Sequence, residues 1–303
     1  MNPMPPELTV IIPSYNRPEL LPRAVNSALE QSFQSLEVLV VDDGSPQPIS
    51  LPEHPRLRVV RLEQNAGNAS ARNAGLRAAR GRYVCYLDDD DRLLPNMAAD
   101  SMAALAQAHD DKSLPDPIAV LSGLEVIDKH GQRQQTRLPP TLPKGSRFFL
   151  EPIPEGQSFI SKQTLVVERD LLLEIGGYDE DFRSRVHTEM FLRLNAVCSI
   201  LGIPRLTYQL ISHDGDRISG NRALRQESFE RLIQKHGKLF RSSPRMYADF
   251  VYRHAVKSRQ LGQHQHALKY FLKAFQIHPE QAWRQSSRSL WHTIVAVKKR
   301  FIP

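Results

Sequence analysis

Four consecutive aspartates, Asp88 to Asp91, follow the apolar run Tyr83-Val84-Cys85-Tyr86-Leu87, and a second acidic pair, Asp42-Asp43, closes the run Val38 to Val41. Carboxylates a few ångströms apart repel and raise one another's pKa. Two strand-like runs ending in this much like charge therefore call for a positive partner. A divalent cation is the simplest one, and oxygen-only ligands suit Mg²⁺ or Mn²⁺, which keep positions open for water or a substrate phosphate. Most acidic runs are solvated surface, and Asp110-Asp111 is expected to be such a turn. The apolar strand before Asp88 and the matching pair at Asp42 set the first cluster apart.

The elements that must position these groups alternate along the chain. Leu8 to Ile12, Glu37 to Val41, Leu57 to Leu62 and Arg82 to Leu87 read as strands. Leu21, Ala24, Val25, Ala28 and Leu29 have helical spacing within 18–31, opened by Pro18, and Ala69 to Ala79 reads as a helix ended by Gly81. The order βαβ…βαβ predicts an α/β fold, a mainly parallel sheet with helices on both faces and right-handed crossovers. Ligands of such sheets bind beyond the carboxyl ends of the strands. Pro13-Ser14-Tyr15, Asp42-Asp43 and Asp88 to Asp91 each follow a strand, which predicts all three at one edge.

Four stretches, in order, carry a family resemblance: Val10-Ile11-Ile12-Pro13-Ser14-Tyr15-Asn16-Arg17, Val40-Val41-Asp42-Asp43-Gly44-Ser45, Ala71-Arg72-Asn73-Ala74-Gly75 and Leu87-Asp88-Asp89-Asp90-Asp91. Together they resemble family-two glycosyltransferases over about residues 7 to 221, most strongly before Pro95. The resemblance implies a Rossmann-like GT-A fold, a nucleotide-sugar donor with uridine as the expected nucleoside, and metal-dependent inverting transfer. It also implies roles. Asp42 corresponds to a carboxylate that accepts from the nucleobase, beside Pro13 and Tyr15, although Tyr15 could equally cap the core. Asp88, Asp89 and Asp90 overlay the aspartate-x-aspartate element that meets donor and metal, with Asp90 the first metal ligand and Asp88 a second. Arg72, on a helix beginning near Ser70, can set its charge against the diphosphate; the alternative is a surface salt bridge. Asp91 is open between chemistry and a helix N-cap.

Transfer also requires a base for the acceptor hydroxyl. The family's second signature is present as Gly176-Gly177-Tyr178-Asp179-Glu180, but the Glu-Asp pair expected after it is not. Anchoring on Glu189-Met190-Phe191-Leu192-Arg193 sets Val186-His187 at its position. Three readings follow: His187 is the base, as its imidazole permits near neutral pH; Glu189 is; or no base exists. Each residue also has a plain alternative, a satisfied loop histidine and a helix N-terminal charge. His213, after a strand expected over Leu206 to Ile211, resembles the late loop that returns to metal and diphosphate, with an ordinary loop histidine as the alternative. Glu151 to Leu165 is expected to form the acceptor side.

The chain has 303 residues and a formal charge of +7, unevenly divided. Residues 222–303 hold 17 Lys and Arg against 4 Asp and Glu, a net of +13, which leaves −6 for residues 1–221. The tail therefore seeks an anionic surface. Nucleic acid is the less favoured partner, because aromatic platforms do not interleave the basic residues. Arg222 to Gly237 reads as a helix, and residues 247–279 resemble one tetratricopeptide hairpin through Leu261-Gly262, Ala267, Phe271, Ala274 and Pro279. A single repeat cannot bury its own faces, so neighbouring helices, the first domain or a protein partner must cover it. A last amphipathic helix with Trp283, Leu290, Trp291, Ile294, Val297 and Phe301 on one face suits peripheral contact with an anionic membrane or packing on the hairpin.

No apolar run is long enough for a bilayer and Met1 to Glu7 lacks a signal-peptide pattern, so the expected location is the cytoplasm. Cys85 and Cys198 are expected to be core residues, in a strand and a helix respectively. The favoured function is sugar transfer to a surface-polysaccharide or lipid-linked acceptor. The alternative is a catalytically degenerate nucleotide-sugar-binding scaffold that recruits partners through its tail.

Overall fold

The computed structural model describes residues 5–212 and 221–286, which divide into two compact units. The first spans residues 1–148 and 152–220 and the second 149–151 and 221–303. His213 and residues 287–303, including most of the expected amphipathic face, lie outside the described residues.

In the first unit a sheet contains β1 (Leu8–Ser14), β2 (Leu36–Asp42), β3 (Leu57–Arg61), β4 (Tyr83–Tyr86), β5 (Arg92–Leu93), β6 (Ile118–Ile127), β7 (Arg133–Arg137), β8 (Val166–Glu168) and β9 (Ser199–Ile211). Its order is β3-β2-β1-β4-β8-β6-β9-β5, with β7 on β6. Strands β1 to β4 run parallel, whereas β8 enters antiparallel to both β4 and β6, so the sheet is parallel in its first half and mixed beyond. In the first half α1 carries the chain from β1 to β2 and α2 from β3 to β4, the helical crossovers that parallel neighbours need.

Side-chain alternation distributes the helices. Val10 and Ile12 of β1, Val38 and Val40 of β2, and Cys85 of β4 share a core with Leu21, Ala24, Val25 and Ala28 of α1 (Leu21–Leu29) and Met97, Leu105 and Ala108 of α3 (Met97–Asp111). Ile11 points the other way, toward α2 (Asn68–Ala78). There a Cβ added at Gly75 would stand 2.4 Å from the Ile11 Cγ2. Gly75 thus lets α2 lie close against β1. Asp110 and Asp111 are exposed, as expected, but on the last turn of α3 rather than in a turn of their own. Both cysteines are buried; Cys198 closes α5 (Val186–Val197), where burial pushes its thiol up to about 12.

In the second unit α6 (Arg222–Lys235) is capped by the Asn221 side chain, which accepts from the Leu224 N–H. After α7 (Gly237–Arg241), helices α8 (Pro244–Gln260) and α9 (His264–Ile277) form a hairpin turned at Gly262, φ +75°. Helix α6 packs on it: Phe229 stacks on His254 at 3.6 Å, and the Tyr270 hydroxyl donates to Glu230 at 2.6 Å. Ala267, Tyr270 and Ala274 are buried, while Leu268, Leu272 and Trp283 are exposed. Among the described residues, no helix is long and apolar enough to cross a membrane.

Candidate active site

The carboxyl ends of β1, β2 and β4 meet where the alternation predicts. Ser14 stands level with Asp42 in the β1–β2 register, and the Ser14 carbonyl accepts from the Asp43 N–H at 2.9 Å. Asp42 is almost fully buried. Its Oδ1 accepts from the Ser45 N–H at 2.9 Å, and its Oδ2 from the Ile49 N–H and from Arg61. Burial would raise this carboxyl, but these donors outweigh burial and hold it below its ordinary value. The carboxylate expected to face a nucleobase is thus engaged by the chain itself and fixes the loop at Gly44-Ser45. Asp43, raised by burial, accepts from the N–H groups of Ala66 and Gly67 at 2.9 and 3.0 Å, just before α2.

The four aspartates diverge. Asp89 is buried, accepts from the Ser14 hydroxyl at 2.7 Å and pairs with Arg17 at 2.8 Å; burial raises its carboxyl despite both donors. Asp90 also accepts from Arg17, at 3.0 Å. Asp91 caps no helix. The Tyr208 hydroxyl donates to it at 2.8 Å and the Ile211 N–H at 2.9 Å, which ties the β4 tip to β9. Burial, then the charges of Asp88 and Asp90, push its carboxyl well above the usual range. Asp88, Asp90 and Asp91 each offer an oxygen within 4.8 Å of the others. Three hard oxygen donors this close, one of them buried among like charges, fit Mg²⁺ or Mn²⁺. Asp91 joins this group, and the expected ligand His213 lies outside the described residues.

Arg72 is no surface salt bridge. It is 1% exposed, pairs with Asp88, and its guanidinium carbon lies 5.7 Å from the Tyr178 ring centre and 6.0 Å from that of Tyr86. Its charge reaches the cleft through Asp88, and it is not among the lining residues. Pro13 lines the cleft; Tyr15 does not, and is 43% exposed rather than capping the core.

The cleft, about 280 Å³, is bounded on one side by Arg17 and Asp88 to Asp91 and on the other by Arg183 to His187, with Gln163 and Leu210. Helix α5 begins here after Arg185, a non-glycine residue at φ +59°. His187, on its first turn, has Nδ1 3.4 Å from the Tyr178 hydroxyl. The two rings also meet edge to face, with centres 5.4 Å apart. Glu189 is fully buried and away from the lining: Arg193 grips it with Nε at 2.8 Å and Nη2 at 2.6 Å, and donates to the Ile175 and Gly177 carbonyls. Asn73 of α2 binds the same turn, accepting from the Tyr178 N–H and donating to the Tyr178 carbonyl, both at 2.8 Å. Gly177, at φ +62°, sits so close that a Cβ would stand 2.4 Å from the Asn73 Oδ1. Two sequence signatures about a hundred residues apart are therefore one structural joint.

Sequence reasoning missed Arg17, Arg183, Arg185 and Tyr208. Arg17 ends a quoted motif and was within reach; the Tyr208–Asp91 contact spans 117 residues and has no local signal.

A family model described as glycosyl transferase family 2 matches residues 9–166, just over half the chain. The succinoglycan biosynthesis protein ExoO of Rhizobium meliloti (strain 1021) is 41% identical over 95 residues, 30% of this chain and 27% of its own length. A putative teichuronic acid biosynthesis glycosyltransferase, TuaG of Bacillus subtilis (strain 168), is 42% identical over 95 residues, 29% of this chain and 37% of its own. The chain thus spans little more than a quarter to a third of these two relatives. S. aureus TarS 1–349, solved in complex with UDP-GlcNAc, superposes with a TM-score of 0.64 at 21% identity, over 91% of this chain and 82% of that one, a likeness of fold. The family match runs from β1 to the start of β8 and takes in the strand ends that carry every aspartate of the cleft. This protein is a member of glycosyl transferase family 2.

Proposed function

We propose that the protein transfers a sugar, with inversion, from a nucleotide-sugar donor to a hydroxyl of a cell-surface polysaccharide or lipid-linked acceptor. The observation that carries this reading is the Asp88, Asp90 and Asp91 oxygen cluster lining the same cleft as His187. A divalent cation held by the three aspartates, Mn²⁺ or Mg²⁺, supplies charge stabilisation for the departing nucleoside diphosphate. Arg17, Arg185 and the amino-terminal end of the α5 dipole add positive potential at the same place. Arg72 holds Asp88 in position. As the acceptor oxygen bonds to the anomeric carbon and the bond from that carbon to the diphosphate breaks, His187 takes the acceptor proton. Pro13 and the loop held by Asp42 flank the nucleoside. A uridine donor is the first to test, since the TarS structure of like fold carries UDP-GlcNAc. The names of ExoO and TuaG support an envelope polysaccharide as the acceptor class.

One observation favours a second reading, a degenerate nucleotide-sugar-binding scaffold: among the described lining residues the only carboxylates are Asp88 to Asp91. If His187 does not act, the described lining residues offer no base beyond those aspartates. Release of nucleoside diphosphate from UDP-sugars, with Mn²⁺ and with chelator, separates the two. Metal-dependent release supports transfer. Donor binding without release, across sugars and acceptors, supports the scaffold.

A further inference from the structure

A second cavity is larger than the cleft. About 640 Å³ in volume, it lies at the amino-terminal ends of β1 and β2, so the same strands separate it from the aspartates. Four arginines line it, Arg56, Arg58, Arg80 and Arg169, against one acid, Glu37. Glu37 is already satisfied: Oε1 takes Arg58, and Oε2 takes the Thr9 hydroxyl at 2.9 Å and the Arg80 N–H at 3.1 Å. Arg169 pairs with exposed Asp170 at 3.0 Å. Arg56 and Arg80 have no ion pair among the described residues, which leaves the cavity about two positive charges in excess.

These side chains are held in place. Arg56 Nη2 donates to the Leu29 carbonyl at 2.5 Å, at the end of α1, and Arg169 Nη1 to the Ala79 carbonyl at 2.8 Å, just past α2. Capping a helix end is a sufficient structural role for part of each guanidinium, which has five N–H donors. It leaves the rest unexplained. Arg56 Nη1 is buried with no hydrogen-bond partner, an arrangement native interiors avoid. An anion seated among the lining guanidinium groups answers the uncompensated charge of the cavity.

We propose that this cavity binds the phosphate group of a small soluble phosphorylated molecule. A phosphomonoester dianion matches the two uncompensated arginines, its oxygens accept from guanidinium forks bidentately, and the volume lies within the small-ligand range. A bilayer lipid would have to bring its headgroup into a recess behind the sheet, so the soluble source is favoured.

The test is calorimetric titration of the full chain with inorganic phosphate and with glucose 6-phosphate, at low ionic strength and pH 8. Saturating UDP is present to occupy the cleft. The parent is expected to bind one equivalent, and Arg80→Glu to weaken binding about tenfold or more, with UDP affinity unchanged. Arg80 is exposed and its side chain supports no structural contact, so this variant decides the matter even if Arg56→Gln is poorly folded. Absence of phosphate binding by the parent, or equal binding by parent and Arg80→Glu, overturns the proposal.

Discussion

At the scale of single residues, the acidic run divides by partner. Asp89 and Asp42 are buried and taken up by the protein's own donors, whereas Asp88, Asp90 and Asp91, each with a donor of its own, also bring an oxygen within 4.8 Å of one another at the cleft. Asp90→Asn is therefore expected to remove most Mn²⁺-dependent turnover, with little change in thermal stability, since it deletes one like charge from a repelling group. Turnover equal to the parent's would remove the metal assignment. His187→Ala is expected to cost roughly 10²-fold or more in transfer rate while donor affinity holds. Glu189→Ala has a different signature. It leaves Arg193 without its buried acceptor, so unfolding experiments should show a loss of about 3 kcal/mol or more. The carboxylates were legible because local patterns announce them: apolar runs that stop at acids. The fate of each was not, because Tyr208, Ser14 and Arg17 reach them across the fold.

Elements follow sequence periodicity closely in the first, parallel half of the sheet and in the helix packed on it. The strands expected at Leu8, Glu37, Leu57 and Arg82 and the helix at Ala69 lie within about two residues of their observed ends. Later elements were less legible, since β8 and β9 pair through contacts that no short-range period encodes. Two predictions belong at this scale. Gly75→Ala presses a methyl group into Ile11 and Val41 and is expected to cost about 1–3 kcal/mol in denaturant unfolding, mostly by lifting α2 from β1. In the second unit, hydrogen bonds from Tyr270, then Lys269 and Gln226, hold the Glu230 carboxyl at about 2. A depressed folded value means its stabilisation is complete above the free glutamate value of about 4.3 and is lost as pH falls toward about 2. Solvent exposure keeps the effect small. The melting temperature should decline slightly over that window, and Glu230→Gln should flatten the decline.

At the scale of the whole molecule, the charge of the chain is split between an acidic stretch that carries the cleft and a basic stretch that follows it. Anionic phospholipid vesicles are expected to retain the protein at low salt and release it as ionic strength rises, with retention falling when residues 287–303 are removed. Unchanged retention after that truncation would assign the attraction to the described helices. The joint between α2, the Gly176-Gly177 turn and α5 has a consequence for how acceptors can change. Because Asn73, Arg193 and Glu189 hold α5 from behind, the side chains of Arg183, Ser184 and Val186 at its mouth lie outside that anchor and beside the base rather than in its place. Substrate range can therefore drift, in nature or in a mutant library, by rewriting that short rim while the anchor beneath it stays constant. Libraries that spare the anchor and randomise the rim should yield a far larger share of folded variants than libraries that do the reverse.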